Sequence, residues 1–389
     1  MPVLPPSGPL SSTPPGFPDT VTDAPDPAEL RDRLLRRIRA GTAAPFPDEE
    51  FDALALAVFA HQFARNTPYR LFCERRGASP ETVRHWTEVP AVPTDAFKAA
   101  PLVCADPAGV RTVFRTSGTT AGPERRGEHW LPDLALYDAA LREGFAAHLL
   151  PEGGAMRMLS LIRPPEEVPD SSLSHMVGEV VKEQGAEGSA YFVGEAGIEP
   201  AGFGAALRRA EADGAPVCIL GTSFAFVHWL DAAAESGARF ALPHGSRVMD
   251  TGGFKGRSRE VTREELYAAL GERLGIGTEW CVNEYGMTEM SSQFYDAVAG
   301  VPGPRLHAAP PWVRSRAVDP ETLEPVPDGE TGVLRHWDLA NLHSVMAIQT
   351  ADLGFVAPGG IRVLGRAQGA EARGCSLAMD QFLAASRGR

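Results

Sequence analysis

The sequence has little lysine, few cysteines and no long apolar run. Only three of its 37 basic residues are lysines (Lys98, Lys182 and Lys255), and 50 acidic residues give a net charge of −13. Proteins that bind nucleic acid usually show the opposite charge balance. No run approaches the roughly 18 to 20 apolar residues of a membrane span. We therefore expect that the protein does not bind nucleic acid and has no membrane-spanning segment.

The cysteines do not form a recognisable framework. Cys73, Cys104, Cys218, Cys281 and Cys375 are scattered and lack CxxC spacing. This pattern favours free thiols in a reduced, cytoplasmic protein over a disulfide or zinc scaffold. The chain contains no HxxxH, HExxH or Cys/His cluster for zinc and no GxSxG elbow of an α/β-hydrolase. Its first residues lack the basic start and apolar stretch of a signal peptide.

Composition divides the chain into three expected regions. Residues 1–27 contain nine prolines, which remove donors and restrict φ, and we expect a disordered tail there. Residues 28–366 are expected to form the folded domain, helical over 28–110 and β-rich over 301–366. Residues 367–389 are punctuated by glycine and are expected to form a short mobile segment.

The middle of the chain predicts an α/β fold. Apolar runs at 110–114, 157–162, 189–194, 215–221 and 246–253 read as strands. Helical patterns at 201–214 and 263–275 lie between such runs or follow them. This alternation is typical of a covered, mostly parallel sheet, to which the region from 301 adds a β-rich subdomain.

Four short segments could bind a nucleotide. TSGTTAGP (116–123) offers glycines and hydroxyls to an anion, although it is not a GxxxxGK[ST] loop. NEYGMTE (283–289) follows the expected strand 278–282 and offers an aromatic ring, a hydroxyl and a carboxylate. TADLG (350–354) places an acid before an expected glycine turn, and Gly365-Arg366 lies near the chain end. Taken singly, each could equally be an ordinary turn or strand end.

In this order, the four segments resemble the adenylate-forming ligase superfamily, and most closely its LuxE-type acyl-protein synthetases, whose relatives include phenylacetate-CoA ligases. The resemblance covers roughly residues 50–389. It implies an α/β fold like the large domain of these ligases, with a truncated C-terminal domain, because only 23 residues follow Arg366. Segments more specific to the LuxE-type branch are VPTDAFK (92–98), GGFKG (252–256), PPWVR (310–314), DLANLHSV (338–345) and RGCSLAMD (373–380).

The resemblance implies that residues 28–366 are an adenylating domain that uses ATP and Mg²⁺. The positions expected to hold the leaving pyrophosphate are Ser117, Gly118, Thr119, Thr120 and Gly122. Tyr285 would stack on adenine, and the residues expected on the opposite side of the base are Gly252, Gly253 and Phe254. Thr288 would contact the α-phosphate, and Glu289 would hold Mg²⁺. Asp352 and Arg366 would bind the ribose.

The implied reaction activates a carboxylic acid as an acyl-adenylate and passes the acyl group to a thiol. By resemblance, Cys375 accepts the acyl group for a partner such as an acyl reductase, and Arg373 could lower the pKa of that thiol. Two alternatives remain open. The acceptor could be coenzyme A or a carrier protein, with Cys375 structural, or the chain could be a catalytically weak nucleotide-binding homologue.

Two departures from the superfamily concern positive charge. By the resemblance, TSGTTAGP (116–123) corresponds to the phosphate loop of the superfamily. The lysine that usually follows this loop is absent, and Arg125 or Arg126 could replace it. GRAQGAEARG (365–374) matches the hinge segment of the superfamily, and the lysine that typical members use beyond it is absent too. Lys255 is the first candidate to replace that one, and Arg373 the second. Candidate residues of the acyl pocket are Phe224, Phe226, His228 and Trp229.

Overall fold

The computed structural model describes residues 26–117, 126–252, 261–367, 379–380 and 382–384. The helices within these ranges are α1 Pro27–Arg39, α2 Asp48–Arg65, α3 Thr67–Arg75, α4 Ala96–Ala99, α5 Ala135–Leu149, α6 Ser172–Gln184, α7 Pro200–Asp213, α8 Ser223–Ser236 and α9 Arg263–Leu274. The strands are β1 Val92–Pro93, β2 Thr112–Arg115, β3 Glu128–Leu131, β4 Arg157–Leu161, β5 Ala190–Tyr191, β6 Val193–Gly194, β7 Gly197–Ile198, β8 Val217–Thr222, β9 Arg247–Thr251, β10 Cys281–Tyr285, β11 Phe294–Tyr295, β12 Val313–Val318, β13 Gly332–Asp338, β14 Ala347–Ala357 and β15 Gly360–Arg366.

The N-terminal helices follow from spacing and capping. In α1, Leu30, Leu34 and Ile38 recur at helical spacing and are buried. The carboxylate of Asp26 accepts a hydrogen bond from the first turn of this helix. Asn66 ends α2 and caps α3, because its side-chain oxygen accepts from the Tyr69 amide at 3.2 Å.

The predicted parallel sheet is confirmed. Among the described residues, six strands pair in the order β11-β10-β9-β8-β4-β5. All neighbours are parallel except β11, which folds back antiparallel onto β10. Helices α7, α8 and α9 pack against one face of this sheet, and α5 and α6 pack against the other. Both faces are therefore covered, as the apolar strands required.

The β-rich region after residue 301 forms a second sheet. Strands β12, β13, β14 and β15 pair antiparallel in chain order, and β1 pairs parallel with the start of β14, on the same edge of that strand as β15. The first strand of this sheet thus comes from the proline-rich segment 89–98, far earlier in the chain. Helices α1 to α3 and the side chain of Phe382 share its hydrophobic core.

Four elements of the structure differ in detail from those expected from the sequence. Residues 278–280 form a short 3-10 helix, and the strand begins only at Cys281. The run 189–194 divides into two short strands in different sheets. The run 110–114 contributes to the antiparallel β2–β3 pair instead of the parallel sheet. The expected turn at 350–354 lies inside the long strand β14, because β15 supplies partners for its backbone.

Among the described helices, none has the length and apolar character needed to cross a membrane.

Candidate active site

The carboxyl ends of two neighbouring parallel strands bring Tyr285 and Gly252 together. Thr251 in β9 is in register with Glu284 in β10, so the next residues, Gly252 and Tyr285, lie at the same sheet edge. Gly252 has a φ of 77°, a conformation that glycine adopts without strain. Ligands of open α/β sheets bind outside this edge.

Tyr285 is anchored through its hydroxyl. The phenol donates to Oδ2 of Asp352 at 3.0 Å and lies 3.3 Å from Nε2 of His336. Burial, and then the Asp352 carboxylate, raise the pKa of Tyr285 well above its ordinary value. The phenol therefore keeps its proton and remains a donor.

Asp352 also binds the side chain of Arg366. The two residues are opposite each other in β14 and β15, and Nε of Arg366 donates to Oδ1 of Asp352 at 3.2 Å. The arginine side chain is 54% exposed, whereas that of Asp352 is 13% exposed. Each carboxylate oxygen has a second lone pair, so Asp352 can still accept hydrogen bonds from the two hydroxyls of a ribose.

Glu289 is a buried carboxylate close to this group. Its exposure is 8%, and burial raises its pKa to about 7. The positive charges of Arg366 and Lys98 act in the opposite direction, whereas Asp352 adds to the rise. A carboxylate with a raised pKa is poised to gain from a divalent cation, which would replace the proton that burial favours.

Backbone and side-chain contacts join the two ends of the expected phosphate loop. The Thr116 amide donates to the Gly127 carbonyl at 2.9 Å, and the Gly127 amide donates back to the Thr116 hydroxyl at 2.9 Å. Arg126 donates to the carbonyls of Thr116 and Arg115 and pairs with Asp170 at 2.8 Å. This guanidinium is therefore engaged in holding the loop ends and is a poor replacement for the missing lysine.

A solved 2-hydroxyisobutyryl-CoA ligase in an open conformation, in complex with 2-HIB-AMP and CoA, shares the fold. The alignment gives a TM-score of 0.57 at 16% identity and covers 82% of this chain and 70% of that chain. The long-chain-fatty-acid–luciferin-component ligase of Vibrio harveyi is 24% identical over 85% of this chain and 88% of its own. Its counterpart in Aliivibrio fischeri is 27% identical over 43% of this chain and 46% of its own.

The family model for the acyl-protein synthetase LuxE matches residues 180–384, more than half of the chain. The chain belongs to the LuxE family. Membership confirms the family and the ligase class predicted from the motifs, and the ligase fold confirms the predicted architecture. ATP is the nucleotide of this class.

The structure places several predicted site residues of this LuxE-family chain around one sheet edge. Tyr285, Asp352 and Arg366 are in direct contact, and Gly252 lies beside Tyr285. Thr288 follows three residues after Tyr285, with its hydroxyl 3.5 Å from that of Ser172. Ser117 is exposed at the start of the expected phosphate loop. The remaining predicted positions lie outside the described residues: Gly118, Thr119, Thr120, Gly122, Gly253, Phe254, Lys255, Arg373 and Cys375.

The acyl-pocket candidates divide between core and surface. Phe226 and Trp229 are buried in the core beside the parallel sheet. His228 is exposed on α8. Phe224 is half-buried, with its ring next to that of His228, and the acyl-pocket position of these residues stays a prediction.

Two residues near the site were not assigned by sequence reasoning. Lys98 acts electrostatically on Glu289, and Ser172 lies next to the Thr288 hydroxyl. The scarcity of lysine and the VPTDAFK segment were signals that could have drawn attention to Lys98. Ser172 lies in none of the segments that the sequence pointed to. Its position next to Thr288 follows only from the packing of α6 against the loop after β10.

The donor set suits a magnesium ion that is held mainly by its nucleotide. Among the described residues, no group of three or more His, Cys, Asp or Glu side chains could enclose a metal. Mg²⁺ commonly binds one or two carboxylates together with substrate phosphates. A single buried Glu289 beside the expected phosphate site fits that mode.

Proposed function

We propose that this LuxE-family chain activates a long-chain fatty acid with ATP and Mg²⁺ and transfers the acyl group to the thiol of Cys375. The observation that carries the proposal is the contact group of Tyr285, Asp352 and Arg366 next to buried Glu289. The fatty-acid substrate is suggested by the curated relatives, both named long-chain-fatty-acid–luciferin-component ligases.

In this proposal the nucleotide is held by the adenosine end. The ring of Tyr285 stacks on adenine, with Gly252 leaving room on the neighbouring strand. Asp352 accepts from the ribose hydroxyls, and Arg366 both orients that carboxylate and contacts the sugar. Glu289 would hold Mg²⁺, whose charge would offset the negative charge on the phosphates. The Thr288 hydroxyl donates to the α-phosphate.

The first step forms the acyl-adenylate. An oxygen of the fatty-acid carboxylate attacks the α-phosphorus of ATP, and the bond from that phosphorus to the bridging oxygen breaks. Pyrophosphate leaves with the electron pair, and the hydroxyls and backbone amides of residues 117–122 stabilise its charge. No proton needs to move in this step because the acid is already ionised at neutral pH.

The second step moves the acyl group to sulfur. The thiol of Cys375 first releases its proton to solvent, and the thiolate attacks the acyl carbonyl. A carbon–sulfur bond forms as the carbon–oxygen bond to AMP breaks. The other four cysteines are unsuited to this role, because burial raises the pKa of Cys73, Cys104 and Cys218 to about 12 and that of Cys281 further. They remain protonated thiols at neutral pH.

Coenzyme A or a carrier-protein phosphopantetheine as acceptor is the second possibility. It leaves the first step unchanged and gives Cys375 a structural role only. The 2-hydroxyisobutyryl-CoA ligase of similar fold was solved with CoA, but a likeness at 16% identity extends to the fold alone. The structural observations do not favour this acceptor over Cys375.

The test is exchange of radiolabelled pyrophosphate into ATP, measured with a chain-length series of fatty acids, phenylacetate and amino acids. We expect exchange that requires Mg²⁺ and a long-chain acid. Exchange with short or aromatic acids alone would overturn the fatty-acid assignment. Absence of exchange with every acid, in protein that binds ATP by calorimetry, would favour the catalytically weak homologue.

A further inference from the structure

The DLANLHSV segment (338–345) had no assigned role, yet it contacts the loop after β10 at several points. Nδ2 of Asn341 donates to the Glu289 carbonyl at 2.9 Å and to the Val345 carbonyl at 2.8 Å. Asp338 accepts from the Ser291 amide at 2.9 Å and from the Ser292 hydroxyl at 2.8 Å. These partners are buried. The segment therefore supports the loop that carries Thr288 and Glu289.

His129 contacts the same loop from the opposite direction. It lies in β3, immediately after the phosphate loop, and its side chain is fully buried. Nδ1 is 2.7 Å from the carbonyl oxygen of Thr288, and Nε2 is 2.9 Å from Oδ1 of Asn341. The ring of Phe97 packs edge-on against the imidazole at 5.9 Å between centroids. His129 thus links the strand after the phosphate loop to the Thr288–Glu289 peptide.

The imidazole can donate only one hydrogen bond at neutral pH. Burial lowers the pKa of His129 to about 4, even though both neighbouring oxygens favour a proton on the ring. A neutral ring carries a single N–H. The orientation of Asn341 is set by the two carbonyls that accept from Nδ2, so Oδ1 faces His129.

The proton belongs on Nδ1. Oδ1 of Asn341 already accepts from the Ser291 hydroxyl at 3.2 Å. Within the described residues, Nδ1 of His129 is the donor available to the Thr288 carbonyl. With the proton on Nε2 this part-buried carbonyl would lose its donor, whereas Oδ1 of Asn341 keeps the Ser291 hydroxyl in either case, so the tautomer with Nδ1–H is favoured.

We propose that His129 is a positioning residue, which holds the Thr288–Glu289 peptide through Nδ1–H for the adenylation step. Asn341 holds the next peptide through the Glu289 carbonyl. With the planes on both sides of the Glu289 Cα held, the direction of its Cα–Cβ bond is held as well. The Thr288 hydroxyl, on the same pinned peptide, is placed toward the α-phosphate. This inference rests on the proposed function, because it assigns a role in the same reaction.

Loss of the His129 contact should affect the rate of adenylation and leave nucleotide binding unchanged. The contacts proposed for adenosine come from Tyr285, Asp352 and Arg366, on β10, β14 and β15, and His129 contacts none of these side chains. A small displacement of the groups at the α-phosphate lowers kcat by factors of about ten to a hundred. The KM for ATP should change little, since the adenosine contacts remain.

Two substitutions separate the two ends of the ring. The amide nitrogen of asparagine can occupy the place of Nδ1, so His129→Asn keeps a donor to Thr288. The longer glutamine places its amide near Nε2, so His129→Gln can donate to Oδ1 of Asn341 but loses the hydrogen bond to the Thr288 carbonyl. Asparagine leaves the larger cavity. A purely structural role therefore predicts that His129→Asn is the more damaged variant.

The experiment measures acid-dependent pyrophosphate exchange and thermal unfolding for both variants. We expect His129→Asn to stay within about threefold of wild-type kcat and His129→Gln to lose about tenfold or more, with the KM for ATP within about threefold in both. Gln62→Met is the matched control. Gln62 is buried and donates to Asn341 and Leu342 carbonyls of the same turn without touching 288–291, so it should lose stability and keep kcat.

The opposite order of the two kcat values, or equal losses that follow the loss of stability, would overturn the proposal. If neither His129 variant folds, Asn341→Leu decides, since it removes the donor to the Glu289 carbonyl: a kcat loss with unchanged KM supports the proposal, and an unchanged kcat overturns it. Wild-type protein that shows no exchange with any acid would instead refute the proposed function itself.

Discussion

Tyr285 and Asp352 are 67 positions apart in the chain, and their side chains are joined by a hydrogen bond of 3.0 Å. Tyr285 ends a strand of the parallel sheet, whereas Asp352 lies in the middle of the longest strand of the second sheet. The hydrogen bond therefore spans the place where the two sheets meet. We infer that the adenosine site is shared between the sheets.

Asp352→Ala should weaken ATP binding. The ribose hydroxyls would lose a charged acceptor, which is worth roughly 1.5–3 kcal/mol, or about a 10- to 100-fold rise in Kd. Tyr285→Phe is the control, since it removes the hydrogen bond to Asp352 but keeps the ring for adenine. We expect that variant to bind within about threefold of wild type. Titration calorimetry decides, and unchanged ATP affinity in Asp352→Ala would show the ribose assignment to be wrong.

Glu289→Gln should reduce adenylation far more than nucleotide binding. The amide keeps the shape of the side chain but removes the charge that would hold Mg²⁺ near the reacting phosphate. We expect pyrophosphate exchange to fall by about two orders of magnitude or more, while the Kd for ATP without Mg²⁺ changes little. Equal losses in exchange and in metal-free binding would indicate that Glu289 acts on the nucleotide as a whole.

The same substitution should alter the pH dependence of stability. Glu289 has a pKa of about 7 in the folded chain against an ordinary value of 4.5. Between these values the folded state holds a proton that the unfolded state has released, so this group lowers stability as the pH rises through that window. Without Mg²⁺, Glu289→Gln should exceed wild type by roughly 1–3 kcal/mol near pH 8 and match it near pH 4.

Urea unfolding at the two pH values measures this difference. Burial also raises the pKa of Glu284 to about 7 and of Asp338 to about 6, so both contribute to the wild-type curve with the same sign. Only the difference between Glu289→Gln and wild type isolates the one group. A difference of equal size at both pH values would show that Glu289 does not take up the proton.

Lys255→Ala should slow adenylation if this lysine replaces the one absent from the C-terminal segment. The positive charge would offset negative charge that moves onto the α-phosphate oxygens. Lys182→Ala is the matched control, because Lys182 lies at the end of α6 and pairs with Glu179 at 3.1 Å. We expect exchange to fall about tenfold or more in the first variant and to be unchanged in the second. Wild-type exchange in Lys255→Ala would remove that lysine from the mechanism.

Cys375→Ser should separate the two half-reactions. Pyrophosphate exchange should remain largely intact, because the thiol acts only after the acyl-adenylate has formed. The acyl mass increment seen by intact-mass spectrometry with ATP, Mg²⁺ and a competent acid should disappear. Cys104→Ser, at a half-buried cysteine, serves as the control and should retain the increment. An increment that persists in Cys375→Ser, or a thioester found only on added coenzyme A, would favour the second acceptor.

Local patterns in the sequence were sufficient for the fold class and the family. A buried strand such as β8 is a continuous apolar run that ends in a polar residue, and the helices between the strands have helical periodicity. Short motifs such as YGMTE keep their order along the chain, so the ligase class could be inferred without a structure. These features depend on neighbours in sequence, which periodicity and motif order record directly.

The contacts that organise the site depend on the folded chain. β1 is two residues long and joins the second sheet only because β14 offers a free edge. Asn341 lies in DLANLHSV and Arg126 follows the expected phosphate loop, yet neither segment indicates the contact that is made. The partners of His129, Asn341 and Arg126 are 159, 52 and 44 positions away. The sequence by itself determined which chemical groups are present and in what order. Tertiary packing decided which of these groups contact each other, because a buried polar atom needs a hydrogen-bond partner and the fold determines which partner is within reach.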